Sequence, residues 1–386
     1  MIKKIYMNNR LKIGLYPVHN LEYRTTIRLI IKIGSMDEEI AGLAHFVEHM
    51  QLAFDRMGLL EQHEKFTICG KTHLEYTMYE FNCCGDSESM NIVFDIMRNI
   101  LNGRYLIPNF IEIIRKDILD ELYRKNLTSQ SIQDFVILTN KKELPIGNAE
   151  TICKITFKDI QKFFKEKYCK APVYICIAGN YIEKDIKNFV QRKFWNQHHV
   201  NTIETKCCYN NMVNVIERKR KVSFYFPLYS EQLENLKGRV TTDLFTILME
   251  HYLEKFFNRI FEKQITIESS IIRYAMNWQY LKFDINNMEN TNINYFWELF
   301  SRFVNTEFNP IAILEVIEQY IRYMSERCSI YNEDALVELT NYFLYGNVIF
   351  EREKYLEILT KIEIKDVKEI FGKLLSSKCK IFYIDS

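Results

Sequence analysis

Several features that mark common protein classes are missing from this sequence. No run of residues reaches the roughly 18 apolar positions that a helix needs to cross a bilayer. The 51 basic residues face 50 acidic ones and leave a net charge of +1. Nucleic-acid-binding proteins usually carry a basic excess, and the short basic run at 218–221 is typical of a solvated strand end. A membrane-spanning or nucleic-acid-binding role is therefore not expected.

The cysteine pattern and the first residues bear on the compartment. Ten cysteines occur, two adjacent pairs among them, and none form Cys-x-x-Cys. This pattern matches neither a zinc ribbon nor a small disulfide scaffold, so reduced thiols are the simplest interpretation. The first ten residues carry charges where a signal peptide would have an apolar core. Cytoplasmic localisation is the expectation.

The length and the order of patterns predict two lobes. A chain of 386 residues is too long for one ordinary core. β-Branched strand patterns at 11–18 and 25–33 precede a helical pattern at 42–57 and a strand at 74–83. Several helices follow, the first at 87–101, and then a strand at 172–178. The second half loosely repeats this plan, with a long helix predicted at 239–262. We predict an α+β fold of two homologous lobes, at 1–200 and 210–386, each a mixed, mostly antiparallel sheet with helices packed on one face.

One short segment carries the chemistry. Residues 42–50 read Gly-Leu-Ala-His-Phe-Val-Glu-His-Met. On a helix, His45 and His49 lie one turn apart on the same face, and Glu48 reaches the same side. This His-x-x-Glu-His arrangement is typical of inverted-motif zinc enzymes, with Glu48 as the candidate general base. The alternative is a pair of ordinary helix histidines beside a surface glutamate.

The flanking residues extend the pattern. Gly34-Ser35-x-x-Glu38 before the motif, the strand-like stretch at 71–79, and Pro145-Ile-Gly147 together resemble the M16 peptidase family, which includes pitrilysin and the mitochondrial processing peptidase. The resemblance covers residues 1–195 well and the remainder only in outline. It implies the M16/LuxS-like metallohydrolase fold and the short, M16B-type subunit.

The same resemblance implies a third zinc ligand on a later helix. The segment 114–122 is similar to the one that carries this glutamate in the family, which selects Glu121. Glu112 and Asp117 are competitors, and Asp117, one turn before Glu121, could instead support a ligand. The implied site therefore has the metal ligands His45, His49 and Glu121, the catalytic Glu48, and Zn²⁺ as the cofactor.

Two departures from the family pattern indicate a partner. A glutamate usual seven positions before the third ligand is Ile114 here, and the arginine and tyrosine that hold the substrate carbonyl fall at Phe261 and Glu268. A second M16 subunit that supplies this clamp would complete the site. His63 and His73 are interpreted as ordinary surface residues. The strand near 74–81 is the candidate edge strand for pairing with a peptide substrate.

The resulting hypothesis is a zinc-dependent endopeptidase that cleaves small peptides inside a closed chamber. The chain would be the zinc-bearing subunit of a heterodimer, in leader-peptide removal or maturation of a bacterial modified peptide (a bacteriocin). The alternative is a non-catalytic M16-like subunit that supports a separate active peptidase.

Overall fold

The computed structural model describes most of the chain. The described residues are 3–6, 11–18, 24–54, 65–125, 129–141, 144–194, 212–218, 220–228, 234–262, 264–275, 278–287, 293–303, 305, 310–326, 332–375 and 378–384. They form two compact units: one takes in the residues before 195 together with 332–344, and the other takes in the rest. The predicted boundary at 200–210 lies outside the described residues.

The regular elements alternate along the chain. The strands are β1 Lys3–Tyr6, β2 Leu11–Pro17, β3 Arg24–Ile31, β4 Phe66–Thr72, β5 Thr77–Cys84, β6 Val173–Gly179, β7 Met212–Arg218, β8 Lys221–Pro227, β9 Thr266–Ala275, β10 Trp278–Asn286 and β11 Lys378–Tyr383. The α-helices are α1 Leu43–Leu52, α2 Ser87–Leu101, α3 Ile111–Arg124, α4 Gln130–Thr139, α5 Ala149–Lys154, α6 Phe157–Glu166, α7 Glu183–Phe194, α8 Leu236–Leu248, α9 Glu254–Phe261, α10 Ile293–Arg302, α11 Pro310–Glu326, α12 Asn332–Tyr345, α13 Arg352–Leu359 and α14 Ile364–Leu375. A π-helical segment, Met249–Leu253, joins α8 to α9.

Each unit is built on one mixed sheet, so the predicted fold class is confirmed. The first sheet has the order β1-β2-β6-β3-β5-β4 and the second β11-β7-β8-β10-β9. One parallel pair occurs in each, β2 with β6 and β7 with β11, and the other pairings are antiparallel. In the first sheet the strand nearer the edge is β2, the earlier one of its parallel pair; in the second sheet it is β11, the later one.

The first sheet has a main core face and a second face crossed by one distant helix. Leu29 on β3 and Ile175 on β6 belong to the main core, which also contains residues of α1, α2, α3, α6 and α7. The alternate positions face α12: the Tyr174 ring stacks on Phe343 with centroids 5.2 Å apart, and buried Arg28 pairs with Glu333. The sequence placed 332–344 with the second lobe, but the apolar and charged contacts of α12 place it in the first unit.

The edge of the first sheet is not the strand that the sequence suggested. The predicted edge strand near 74–81 corresponds to β5, which is flanked by β3 and β4. The edge is β4, whose pattern alternates between half-buried and exposed residues and was missed because Gly70 and Lys71 interrupt its apolar residues. This correction matters because β4 also borders the candidate site.

Candidate metal centre

The helix that carries the two histidines begins at an unusual cap. Gly42 has φ 88°, a left-handed conformation that favours glycine, and offers no capping side chain. The carboxylate of Glu38 replaces it: the backbone N–H groups of Gly42 and Ala44 each donate to Glu38 at 2.7 Å. A Cβ on Gly42 would lie 2.8 Å from the Ile146 carbonyl oxygen, so the 145–147 segment packs directly against this helix start.

We expect Glu38→Ala to destabilise the first unit by about 1–2 kcal/mol, the usual effect of losing a helix cap. Two N–H groups of α1 would lose a charged acceptor. Chemical denaturation followed by circular dichroism measures the change. Glu39→Ala is the matched control, because exposed Glu39 pairs with the surface residue Lys162. Equal unfolding midpoints for the two variants would contradict the capping role.

The two imidazoles converge on one carboxylate oxygen from another helix. Glu121 Oε2, on α3, lies 3.5 Å from His45 Nε2 and 3.3 Å from His49 Nε2. The other oxygen, Oε1, lies 3.1 Å from Lys125 Nζ. The two helices therefore present three candidate ligand atoms to one point, and Lys125 occupies the oxygen that faces away from it.

These distances fit a tetrahedral zinc ion. Ligand atoms about 2.0–2.2 Å from such an ion lie about 3.3–3.6 Å from one another. Both imidazole–carboxylate distances, 3.3 and 3.5 Å, fall in that range. Two histidines and one carboxylate are also a donor set of catalytic zinc sites, which leave a fourth position open. The residues present can hold zinc.

The ionisation of these groups suits metal binding. Burial, with the neighbouring His49, lowers the pKa of His45 to about 3, so this imidazole is neutral. The hydrogen bond to His49 lowers the pKa of Glu121 to about 2, so this carboxylate is ionised. Burial opposes the charged form of His49, but the hydrogen bond to Glu121 and the nearby negative charges of Glu48, Glu121 and Asp117 together outweigh it and raise the pKa of His49. A cation in the site would take the place of that proton.

The Glu48 carboxylate lies against β4. The residue is only 3% exposed, and burial raises the pKa of Glu48 to about 7. Thr72 Oγ1 donates to Glu48 Oε2 at 3.2 Å. A Cβ on Gly70 would lie 2.7 Å from the Glu48 carboxyl carbon, so only a glycine leaves this seat free in the present conformation. A carboxylate with a pKa near neutrality is suited to proton transfer.

Geometry leaves two carboxylates in competition for the third ligand. Glu48 offers an oxygen within 4.8 Å of the ligand atoms of both histidines, and Glu48 Oε2 lies 3.8 Å from His45 Nε2. The Glu121 carboxylate lies closer to both imidazoles and is ionised. The Glu48 carboxylate, by contrast, is held by Thr72 beside Gly70. We therefore favour Glu121 as the ligand.

The other candidates from the sequence lie differently. Glu112 is 74% exposed and pairs with Arg115 at 3.2 Å, away from the histidines. Asp117 is half-buried, and its charge contributes to the raised pKa of His49; its role as a support for a ligand stays a prediction. Ile114 is buried in the core. His63 lies outside the described residues.

A cavity of about 410 Å³ opens onto this cluster and contains residues that the sequence did not single out. It is lined by the four acidic and imidazole side chains together with Gly70, Lys71, Thr72, His73, Lys125, Ile132, Leu144, Pro145 and Ile146. The interpretation of His73 as a surface residue was wrong: its ring stacks on Tyr76, and burial lowers its pKa to about 4. No spacing rule links these residues to the motif, since separate elements bring them together.

Comparison with known proteins identifies the first unit. Residues 18–149 match the model of Insulinase (Peptidase family M16). This segment, which lies in the first unit, is similar to the M16 family. The matched segment contains α1 with both histidines and α3 with Glu121, and the family inferred from the sequence is confirmed.

Relatives support the M16 fold over the whole chain. An uncharacterized zinc protease of Rickettsia felis is 25% identical over 214 residues, half of this chain and half of that protein. The crystal structure of the periplasmic protease PqqL from Escherichia coli is similar over 99% of this chain and 47% of its own length, with a TM-score of 0.79 and 16% identity. A structure titled as an M16 inactive domain from Pseudomonas fluorescens covers 100% of this chain and 98% of its own, with a TM-score of 0.71 and 10% identity. The chain thus spans about half the length of the first two.

Phe261 and Glu268 stand where the sequence comparison with the M16 family placed the arginine and tyrosine of its carbonyl clamp. The Phe261 ring packs on Phe257 and Tyr295, with centroids 5.7 and 6.3 Å apart, and Glu268 is exposed on β9. Neither side chain donates a hydrogen bond as an arginine or tyrosine would. Among the described residues, no helix is long and apolar enough to cross a membrane.

Proposed function

We propose that this chain is the zinc-bearing subunit of a heterodimeric endopeptidase that cleaves small peptides. The observation that carries the proposal is the convergence of His45 Nε2 and His49 Nε2 on Glu121 Oε2. We infer that these three residues hold the metal and that Glu48 is the general base. The wide cavity beside them gives a peptide room to enter.

The residues divide the reaction between them. When bound, zinc would act as a Lewis acid that polarises a peptide carbonyl and makes water more acidic. Glu48 would accept a proton from the attacking water and return it to the leaving amine. The hydrogen bond from Thr72 and the close packing against Gly70 fix the orientation of the Glu48 carboxylate. The edge strand β4 is placed to align an extended peptide by backbone hydrogen bonds.

The partner proposal rests on what the second unit does not offer. Attack on a carbonyl builds negative charge on its oxygen, and preorganised donors stabilise that charge. Phe261 has no donor, and the carboxylate of Glu268 would repel an oxyanion. We propose that a second M16-type subunit, with an arginine and a tyrosine at these places, supplies the stabilisation and closes a chamber around the peptide. Removal of a leader from a bacterial modified peptide in the cytoplasm would suit such an assembly.

The partner is tested by mixing. The chain alone, and the chain with a clamp-bearing M16 homologue from the same genome, are assayed on a quenched fluorescent peptide. We expect the mixture to be at least about a hundredfold faster, since loss of one oxyanion donor commonly costs that much. Mutating the partner's arginine should remove the gain. Equal rates with and without the homologue would contradict the need for a partner.

A second candidate is a non-catalytic subunit, since one similar structure is titled an inactive domain. The same mixture separates the two hypotheses. His45→Ala in this chain should abolish activity when the chain carries the metal. Full activity of a mixture that contains the His45→Ala chain would favour the supporting role instead.

A further inference from the structure

The charges around the cavity are unevenly matched. Its wall contains two carboxylates, Glu48 and Glu121, and two lysines, Lys71 and Lys125. Lys125 pairs with Glu121 at 3.1 Å. Lys71 is exposed, and the structure gives its ammonium group no ion-pair partner among the described residues. With a divalent cation bound, the wall would carry two positive charges in excess.

Glu80, a carboxylate on the same face of the sheet, does not neutralise Lys71. Alternation along β4 places Lys71 with Cys69 on the face opposite to Gly70. On that face Glu80 lies across from Cys69, but its carboxylate pairs with buried Arg28 at 2.6 Å. The charge of Lys71 is felt at His73, whose pKa it helps to lower. Lys71 is therefore a cation available to a ligand.

The position of Lys71 on the strand determines which part of a substrate it would meet. It lies between Gly70 and Thr72, the two residues that contact the Glu48 carboxylate. The outer edge of β4 pairs with no other described strand. A peptide that extends the sheet there would place one side chain directly across from Lys71, on the same face. That side chain belongs to a residue next to the bond that Glu48 helps to cleave.

We propose that Lys71 selects substrates with an aspartate or glutamate beside the scissile bond. The inference rests on the proposed peptidase function and names the substrate class of the same site. Opposite charges directly across two strands attract, and like charges repel. We expect a peptide with glutamate at this position to be preferred over its glutamine version by about two- to fivefold, and a lysine version to be disfavoured to a similar degree.

The test uses peptides that differ only at this position, as glutamate, glutamine or lysine. The assembled enzyme is assayed for kcat/KM, with Lys71→Glu and, as a matched charge reversal at an exposed lysine outside the cavity, Lys158→Glu. Lys71→Glu should invert the order of the glutamate and lysine peptides, whereas Lys158→Glu should leave it unchanged. Raising the salt concentration should weaken the preference.

Binding measured separately keeps this test independent of catalysis. Fluorescence anisotropy of the same peptides on the zinc-loaded chain with Glu48→Gln should show the same order of affinities and its inversion by Lys71→Glu. An order that Lys71→Glu leaves unchanged, in binding or in kcat/KM, would overturn the role of Lys71. Selective binding without any cleavage by the active assembly would instead count against the peptidase function and keep the recognition by Lys71.

Discussion

Glu48→Gln is expected to leave about one zinc bound per chain and to slow peptide hydrolysis by a hundredfold or more. Glutamine keeps the size of the side chain and a hydrogen-bond acceptor for Thr72, but it cannot take a proton from water. Zinc is measured by plasma emission spectrometry on the purified chain. Hydrolysis is measured with the assembled enzyme and a quenched fluorescent peptide, because the chain alone is expected to be slow.

Glu121→Gln is the matched comparison, because it makes the same chemical change in the other carboxylate near the histidines. In the wild-type chain, Glu121 Oε2 lies 3.3 Å from His49 Nε2 and 3.5 Å from His45 Nε2. We therefore expect the Glu121→Gln substitution to weaken zinc binding. Competition with a chelator measures the affinity of both variants. If Glu48→Gln lost the metal and Glu121→Gln kept it, the two roles would be exchanged. This outcome is geometrically feasible, because a Glu48 oxygen also lies within 4.8 Å of the ligand atoms of both histidines.

Removal of either histidine is expected to lower zinc occupancy from about one per chain to nearly none, because a catalytic site has only three protein ligands. His49→Ala should disturb the fold less than His45→Ala, because the His49 side chain is 24% exposed and that of His45 is 9% exposed. Zinc binds the folded chain preferentially, so adding it should raise the midpoint of thermal unfolding of the wild-type chain. In the variants this rise should disappear.

The unfolding measurement also guards against a trivial loss of structure. A cooperative transition for metal-free His49→Ala near that of the metal-free wild type would show that the fold survives. His251→Ala, an exposed histidine on the π-helical segment of the second unit, is the control and should retain zinc. Full zinc occupancy in both His45→Ala and His49→Ala would exclude the proposed centre.

Helices with a clear apolar period were predicted closely from the sequence, and elements with a weak pattern were not. The helix at 87–101 was placed within its observed bounds, and the strand at 172–178 within one residue of β6. By contrast, β4 and the short α5 were missed, because Gly70 and Lys71 interrupt the apolar residues of β4 and a helix of six residues gives little periodic signal. The long helix expected at 239–262 is interrupted by the π-helical segment, where Glu250 accepts from the backbone N–H of Ser269 at 2.9 Å.

The sequence by itself determined the paired imidazoles and the family. Helical spacing alone requires His45 and His49 to share a face, because residues four apart lie one turn apart. The flanking residues then identified the M16 pattern, and Glu38 proved to cap that helix.

Only the tertiary structure decided which groups meet these histidines. It brought Glu121 on α3 to both imidazoles on α1, whereas Glu112 on the same helix pairs locally with Arg115. It also placed β4 at the sheet edge beside Glu48 and α12 on the far face of the first sheet. The physical reason is that periodicity within an element fixes which residues share a face, whereas contacts between elements depend on how their faces pack across long stretches of chain.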